Sequence, residues 1–424
     1  MKRLSPLHWS IGLFVILTSA LTLFAWNTSA PFMWQVLTSA SDPLGYYQYL
    51  PGLFIDGSWD HLGYSYPLEN GNSLNLFTTG VAIMQAPFFL LAMGWCKITG
   101  GSMTGYELPF VFARLLATST YTSLGLVLVF AVLRRLYHWT TALGTVVVLL
   151  FGTTLYYYTV YSGGMSHTYS FCLMAWGLYL VVRMREKPRG DRLVALFFCA
   201  GLLVLIRQLN VLALLVLLFY GTDPIAEMKL RLSWVKDHLR ATFVGVVLVI
   251  ITWLPQLLYW KRITGSWLVF TYGKKDEGFN WADPHLLDVL FSHQNGWFIY
   301  TPLMALVMGA LLWQAWRNVP GTRTILVVWA LVWYVYACWW CWWLGGAFGY
   351  RGFVEYYVFL AVPLAALVDT ARQGRMFKSI PLIVAFALMI YSNIRLSDLY
   401  QYPWEGEAWT WERLGAVYEQ AFLE

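Results

Sequence analysis

An aspartate close behind the first apolar stretch, a histidine and several arginines set in otherwise apolar segments have the most chemistry to offer in this chain. Asp42 stands in Ser41-Asp42-Pro43-Leu44-Gly45-Tyr46-Tyr47-Gln48-Tyr49-Leu50-Pro51, at the start of an expected short helix. A carboxylate there can accept the proton of an attacking hydroxyl. It can also cap the helix, with Pro43 then at the first helical position. Arg114 lies two turns into one apolar stretch and Arg207 interrupts another; Arg351 opens a third that also holds Glu355, and His167 begins a fourth. An ionised side chain costs roughly 2.5 to 3.5 kcal/mol at the centre of a membrane helix, so cations on several such segments need a reason. A polar hollow bordering lipid and rich in arginine suits a phosphate, whose oxygens match the planar guanidinium fork. Otherwise each arginine snorkels to the headgroups or pairs with a local acid, as Arg351 can with Glu355 four residues on.

A second pattern is Cys338-Trp339-Trp340-Cys341. In a soluble chain a C-x-x-C pair suggests redox or zinc chemistry. Here it sits in a tryptophan-rich apolar segment with no second ligand pair, and we read the cysteines as small packing residues. Five cysteines in all, an odd number mostly inside apolar runs, give no disulfide framework.

The elements that must position these residues are membrane helices. Of the 424 residues 59% are hydrophobic and only 12% charged, against about 25% charged in soluble domains. The +6 net charge is explained first by orientation, because Lys and Arg gather in cytoplasmic loops. Nucleic acid is excluded as a partner. Apolar runs long enough to span lie at Trp9–Trp26, Leu108–Leu133, Thr140–Tyr158, Ser166–Val182, Ala241–Trp260, Trp297–Trp316, Thr324–Trp343, Phe353–Val368 and Ile380–Ile394. The first follows Lys2 and Arg3 and is taken as an uncleaved helix.

Two stretches are ambiguous, and charge counting resolves both. With Val81–Cys96, which contains Pro87, on the outer surface and Leu193–Tyr220 broken into two short helices at Arg207, six basic clusters share one side. They are Lys2/Arg3, Arg134/Arg135, Arg183 to Arg192, Lys229 to Arg240, Arg317/Arg323 and Arg372 to Lys378. The expected fold is therefore all-α: a polytopic bundle of about eleven spans with the N-terminus cytoplasmic. Its long outer loops, about 28–107 and 261–296, are rich in Gly, Pro, Asn, Asp and aromatics and should carry short juxtamembrane helices. Residues 1–396 form one membrane module and 397–424 an outer tail whose Trp404, Trp409 and Trp411 suit the membrane interface. Lys97, Arg114, Arg207, Lys261, Arg262, Lys274, Lys275, Arg351, Arg395 and Arg413 remain on the outer side.

Four stretches then resemble the C-type integral membrane glycosyltransferases, near their Rgt-type, aminoarabinose-transferase and protein O-mannosyltransferase branches. They are Asp42 with Tyr46-Tyr47-Gln48-Tyr49-Leu50-Pro51; Met84–Ala92 with Phe112-Ala113-Arg114-Leu115-Leu116; Gly163–Phe171 with Leu205–Asn210; and Gly296–Leu303 with Gly345–Phe353. The resemblance implies an inverting transferase that takes a sugar from a polyprenyl-phosphate donor at the outer face of the cell (inner) membrane. The acceptor is a glycan, a lipid or a protein. Asp42 matches the family's base, Arg207 and Arg351 match positions near the donor phosphate, and His167, Glu355, Arg114, Tyr46 and Tyr350 line the site. Many relatives carry a second acid after the first, where this chain has Pro43. Asp56 or Asp60 could replace it, and neither a tightly bound metal nor a cofactor is expected. The competing reading is a transporter or flippase of lipid-linked saccharides, though transporters place charges near the midplane in broken helices. A polysaccharide ligase or polymerase, using a diphosphate carrier, is a further alternative.

Overall fold

Long apolar runs become helices here, and they stop where the sequence supplies a stop. The computed structural model describes residues 6–38, 41–60, 62–271, 277–374, 376–400 and 404–423. Lys2, Arg3, Lys274, Lys275 and Arg375, which entered the charge argument, lie outside the described residues. Helix α1 spans Pro6–Thr38, α2 Asp42–Tyr47, α3 Tyr49–Phe54, α4 Gly80–Thr99, α5 Leu108–Leu133 and α6 Trp139–Phe151. Then come α7 Leu155–Val160, α8 Ser166–Glu186, α9 Gly190–Ile206, α10 Val211–Phe219, α11 Pro224–Asp237 and α12 Leu239–Thr264. The rest are α13 Leu286–Phe291, α14 Trp297–Tyr300, α15 Leu303–Trp316, α16 Thr322–Ala337, α17 Tyr357–Gln373, α18 Met376–Leu399 and α19 Trp411–Leu423. Two-residue strands β1 (Tyr66–Pro67) and β2 (Ser73–Leu74) pair antiparallel. The class is all-α.

Among the described residues six helices are long and apolar enough to cross a membrane: Ser10–Ser29, Gly80–Thr99, Leu108–Leu133, Leu239–Thr264, Arg351–Gln373 and Ser379–Leu399. A seventh is added if α10 and α11, bent by 93° at their junction, count as one. The stretch Val81–Cys96, expected at the outer surface, lies within α4, which runs through Pro87 for 20 residues and stops at Gly100. That glycine sits at φ +68°, the left-handed C′ position that a side chain would strain. The expected break at Arg207 is present, with α9 ending there and α10 beginning after a 3-10 turn at Gln208–Asn210.

The chain divides into two compact units, Met1–Val127 with Tyr158–Val211 and Trp234–Asp276, and Leu128–Tyr157 with Leu212–Ser233 and Glu277–Glu424. In the first, α9 packs on α12 and α8, while α4 packs on α2, α8 and α9. Helix α8 is buried along most of its length and hides Ser166, His167, Thr168 and Ser170. It is surrounded by protein, so it tolerates polar residues that a lipid-facing helix would not. In the second unit, α17 is central and packs on α6, α15 and α18. The tail joins this unit: Trp404 stacks on Trp409 at 4.7 Å and 10°, both buried with Tyr300 and Phe348. Of the three tail tryptophans expected at a membrane interface, only Trp411 is exposed.

Candidate functional site

In the first unit the site residues gather about the start of α8. The helix begins at Ser166 after Gly163-Gly164-Met165, and that loop is held by α5. Arg114 Nη2 donates to the Gly163 carbonyl (3.3 Å) and the Gly164 amide donates to Thr118 Oγ1 (3.0 Å). Gly164 has φ +90°, and a Cβ there would meet the Arg114 Nε at 2.2 Å. Only glycine leaves room for the guanidinium. Arg114 itself is 2% exposed, lies over the Tyr47 ring at 5.5 Å, and makes no ion pair among the described residues. Its Nε and Nη1 find no hydrogen-bond partner there. That is a costly way to keep a charge.

His167, 2% exposed, is the second residue of α8. Its Nδ1 lies 3.1 Å from Arg207 Nη1 and its ring lies 5.2 Å from Tyr158. A guanidinium only donates, so in this pair Nδ1 accepts and the ring proton sits on Nε2. Arg207 reaches that spot because α9 ends at it in an extended conformation, φ −150° and ψ 125°. The stop is built by other segments. The Thr78 hydroxyl donates to the Leu205 carbonyl and, at 3.3 Å, to that of Ile206. Asn210 Nδ2 returns to the Leu203 carbonyl (3.1 Å) and to Ser170 Oγ (2.9 Å). Carbonyls orphaned at the helix end are thereby satisfied.

Tyr46 joins the cluster by donating to Ser166 Oγ at 3.1 Å. Asp42, half-buried, stands four residues earlier on α2 and hence on the same face. The N-cap position of α2 falls on Ser41, whose side chain makes no capping bond, so Asp42 is a first-turn residue and not the cap. Gly45 lets α2 lie against Phe77, where a Cβ would come within 2.1 Å of the ring. Of the two substitute acids, Asp60 is taken up by Arg262 through contacts of 2.7 and 2.6 Å. Glu107, ahead of α5, accepts from Ser102 Oγ (2.6 Å), the Thr104 amide (2.9 Å), and the amides of Gly105 and Tyr106 (both 3.2 Å). Burial raises its pKa, but these donors outweigh it and hold the carboxyl at about 2.

In the second unit the remaining residues lie together on one segment. Gly349, at φ +62°, lets the chain turn between Thr154 and Tyr300. Tyr350 is buried and donates to the Trp342 carbonyl at 2.8 Å. Arg351, half-buried, opens a 3-10 turn over Arg351–Tyr356, and Glu355 in that turn is 0% exposed. All five cysteines are free thiols.

Sequence reasoning missed three contributors. Ser166 links Tyr46 to the helix that carries His167. Thr78 sets the stop at which Arg207 emerges. Glu405, in the tail, accepts from Trp343 Nε1 at 2.9 Å. Thr78 and Glu405 carry no local signal, because each acts on a segment far away in sequence. Ser166 stood inside a quoted motif and was passed over for the histidine beside it. A scan against protein-family models finds no match to this chain, and a search of curated proteins finds none either.

Proposed function

We propose that this protein is an inverting membrane glycosyltransferase of the C-type architecture, moving a sugar from a polyprenyl-phosphate donor to an acceptor at the outer face of the cell membrane. The observation that carries the reading is the cluster at the start of α8. The His167–Arg207 pair, the Tyr46–Ser166 link and buried Arg114 surround one helix start, with Asp42 on the Tyr46 face of α2.

The chemistry asks little more. The acceptor hydroxyl attacks the anomeric carbon from the face opposite the phosphate, and the bond from that carbon to the phosphate oxygen breaks. Asp42 takes the hydroxyl proton. The polyprenyl phosphate leaves as an anion, which needs a cation and not a proton donor; Arg207, held by His167 in the first unit, is the cation assigned to it. His167, by accepting from Arg207, orients the fork. In the first unit Tyr46 and Arg114 line and shape the site; Arg351, Tyr350 and Glu355 form a second candidate group on one segment of the second unit. In this reading about eleven spans put the N-terminus inside and the C-terminus outside.

The test is transfer of radiolabelled sugar from polyprenyl-phosphate donors by the reconstituted protein. Asp42→Asn should abolish transfer while leaving donor binding in place, and undiminished transfer would remove Asp42 as the base. Movement of the lipid-linked saccharide across the bilayer without transfer would favour the flippase reading. Transfer only from a diphosphate carrier would favour the ligase or polymerase.

A further inference from the structure

The tryptophan-rich segment that begins at Cys338 plays no part in the chemistry above, yet it is held to a second segment by a ladder of hydrogen bonds. Helix α16 ends at Ala337, and the chain after it is tied to residues 278–285 by backbone bonds. The Asn280 amide donates to the Cys338 carbonyl (2.6 Å), the Trp340 amide to Gly278 (2.9 Å) and the His285 amide to Ala337 (2.9 Å). Side chains add to this: Tyr334 Oη donates to the Trp281 carbonyl at 2.8 Å and Trp333 Nε1 to that of Leu286 at 3.1 Å.

On this frame the rings are presented outward. Trp281 is 52% exposed and Trp340 48%. Trp281 stacks on Phe279 at 4.9 Å and 15°, and exposed His285 stacks on Trp342 at 5.3 Å and 22°. Acids lie among the rings. Asp283 and Asp288 are exposed, and Asp288 Oδ2 meets His285 Nδ1 at 2.9 Å. From Glu277 to Arg317 the sequence has no lysine or arginine, and none stands between Arg323 and Arg351.

That charge pattern decides between occupants. A surface seated on anionic headgroups gains from Lys and Arg, and carboxylates there are repelled. Aromatic faces interleaved with carboxylates suit a neutral polyhydroxylated ligand: the C–H face of a pyranose lies on the electron-rich ring, and its hydroxyls donate to the carboxylates in charge-assisted bonds. Within the second unit the rings adjoin the Arg351 segment, since the Trp342 carbonyl accepts from Tyr350, the residue before Arg351.

We propose that Trp281, Trp340 and Trp342, with Asp283 and Asp288, form a shelf that binds pyranose units of a neutral glycan. Its role as the acceptor subsite rests on the transferase reading; binding itself does not. The test therefore uses no donor. Full-length protein in nanodiscs of phosphatidylethanolamine and phosphatidylglycerol is mixed with maltohexaose, cellohexaose or mannohexaose and observed by saturation-transfer difference NMR. The wild type should give ring-proton signals with at least one probe. Trp281→Ala and Trp340→Ala should each weaken binding roughly three- to tenfold, the loss of one stacking contact, with the unfolding temperature kept because both rings are exposed. Asp283→Asn with Asp288→Asn should weaken it with the rings intact. No wild-type signal with any probe, or signals unchanged in the tryptophan variants, would overturn the shelf even if sugar transfer is found. Ring variants that lose retention by phosphatidylcholine vesicles while keeping saccharide signals would also overturn it. Saccharide binding without any transfer would leave the shelf standing and remove the transferase.

Discussion

Two buried arginines of this chain are kept in different ways. Arg231, 6% exposed, faces Glu227 one helical turn away across 3.1 Å and donates Nε to the Leu217 carbonyl at 3.3 Å. Arg114, 2% exposed, has a carbonyl and an aromatic ring and no carboxylate among the described residues. The first is a closed pair whose charges cancel where they stand. The second keeps a net charge beside the helix that presents His167. A buried charge kept without a counter-charge is paid for by the rest of the fold, which is common at functional sites and rare elsewhere.

The contrast can be broken most forcefully at the closed pair. Glu227→Ala strands Arg231 and should cost about 3–5 kcal/mol, read as a fall in the unfolding temperature of the detergent-solubilised protein. Replacing both partners by methionine should cost little or even stabilise. Next comes Gly164→Ala, which puts a methyl group against the Arg114 Nε at a φ of +90°. The strain alone is of order 1–3 kcal/mol. In an Arg114→Ala background the contact part of that loss should vanish, and a double-mutant cycle measures it. Arg114→Met strands no acid, so its stability cost should stay within about 1–2 kcal/mol while sugar transfer falls. A loss as large as that of Glu227→Ala would make Arg114 a structural residue of the same kind as Arg231.

The smallest effect belongs to Glu107, the acid nearest Arg114 along its own helix start. Its carboxyl is held at about 2, below an unfolded value near 4.5. The stability it contributes is present above pH ~4.5 and is lost as the pH falls toward 2. Glu107→Gln should lower stability slightly at neutral pH and flatten that acid limb, so that the variant and wild-type unfolding curves converge toward pH ~2. A variant that keeps the wild-type acid limb would remove Glu107 as its source.

Legibility followed how local each determinant was. Helix α5 begins and ends at the residues read from hydropathy, Leu108 and Leu133, because a lipid-length apolar run has no competitor. The start of α8 at Ser166 and the break at Arg207 were also readable, one from hydropathy and the other from a charge inside an overlong apolar run. Helix α4 is longer than the apolar run Val81–Cys96, because it begins at Gly80 and passes through Pro87 to Thr99. Thr140–Tyr158 divides into α6 and α7 around Gly152, and Thr324–Trp343 gives up its tryptophan end to the shelf. Asp42 was singled out, but its place relative to the cap needed the structure, since Ser41 and Asp42 are equally good cap residues.

The contact between Gly80 and Ile206 has a mechanical sequel. A Cβ on Gly80 would sit 2.7 Å from the Ile206 amide nitrogen, so the first turn of α4 and the last turn of α9 are wedged into a single block, pinned again by Thr78. The Arg207 guanidinium, which follows the last residue of α9, therefore shifts with the start of α4 as one body.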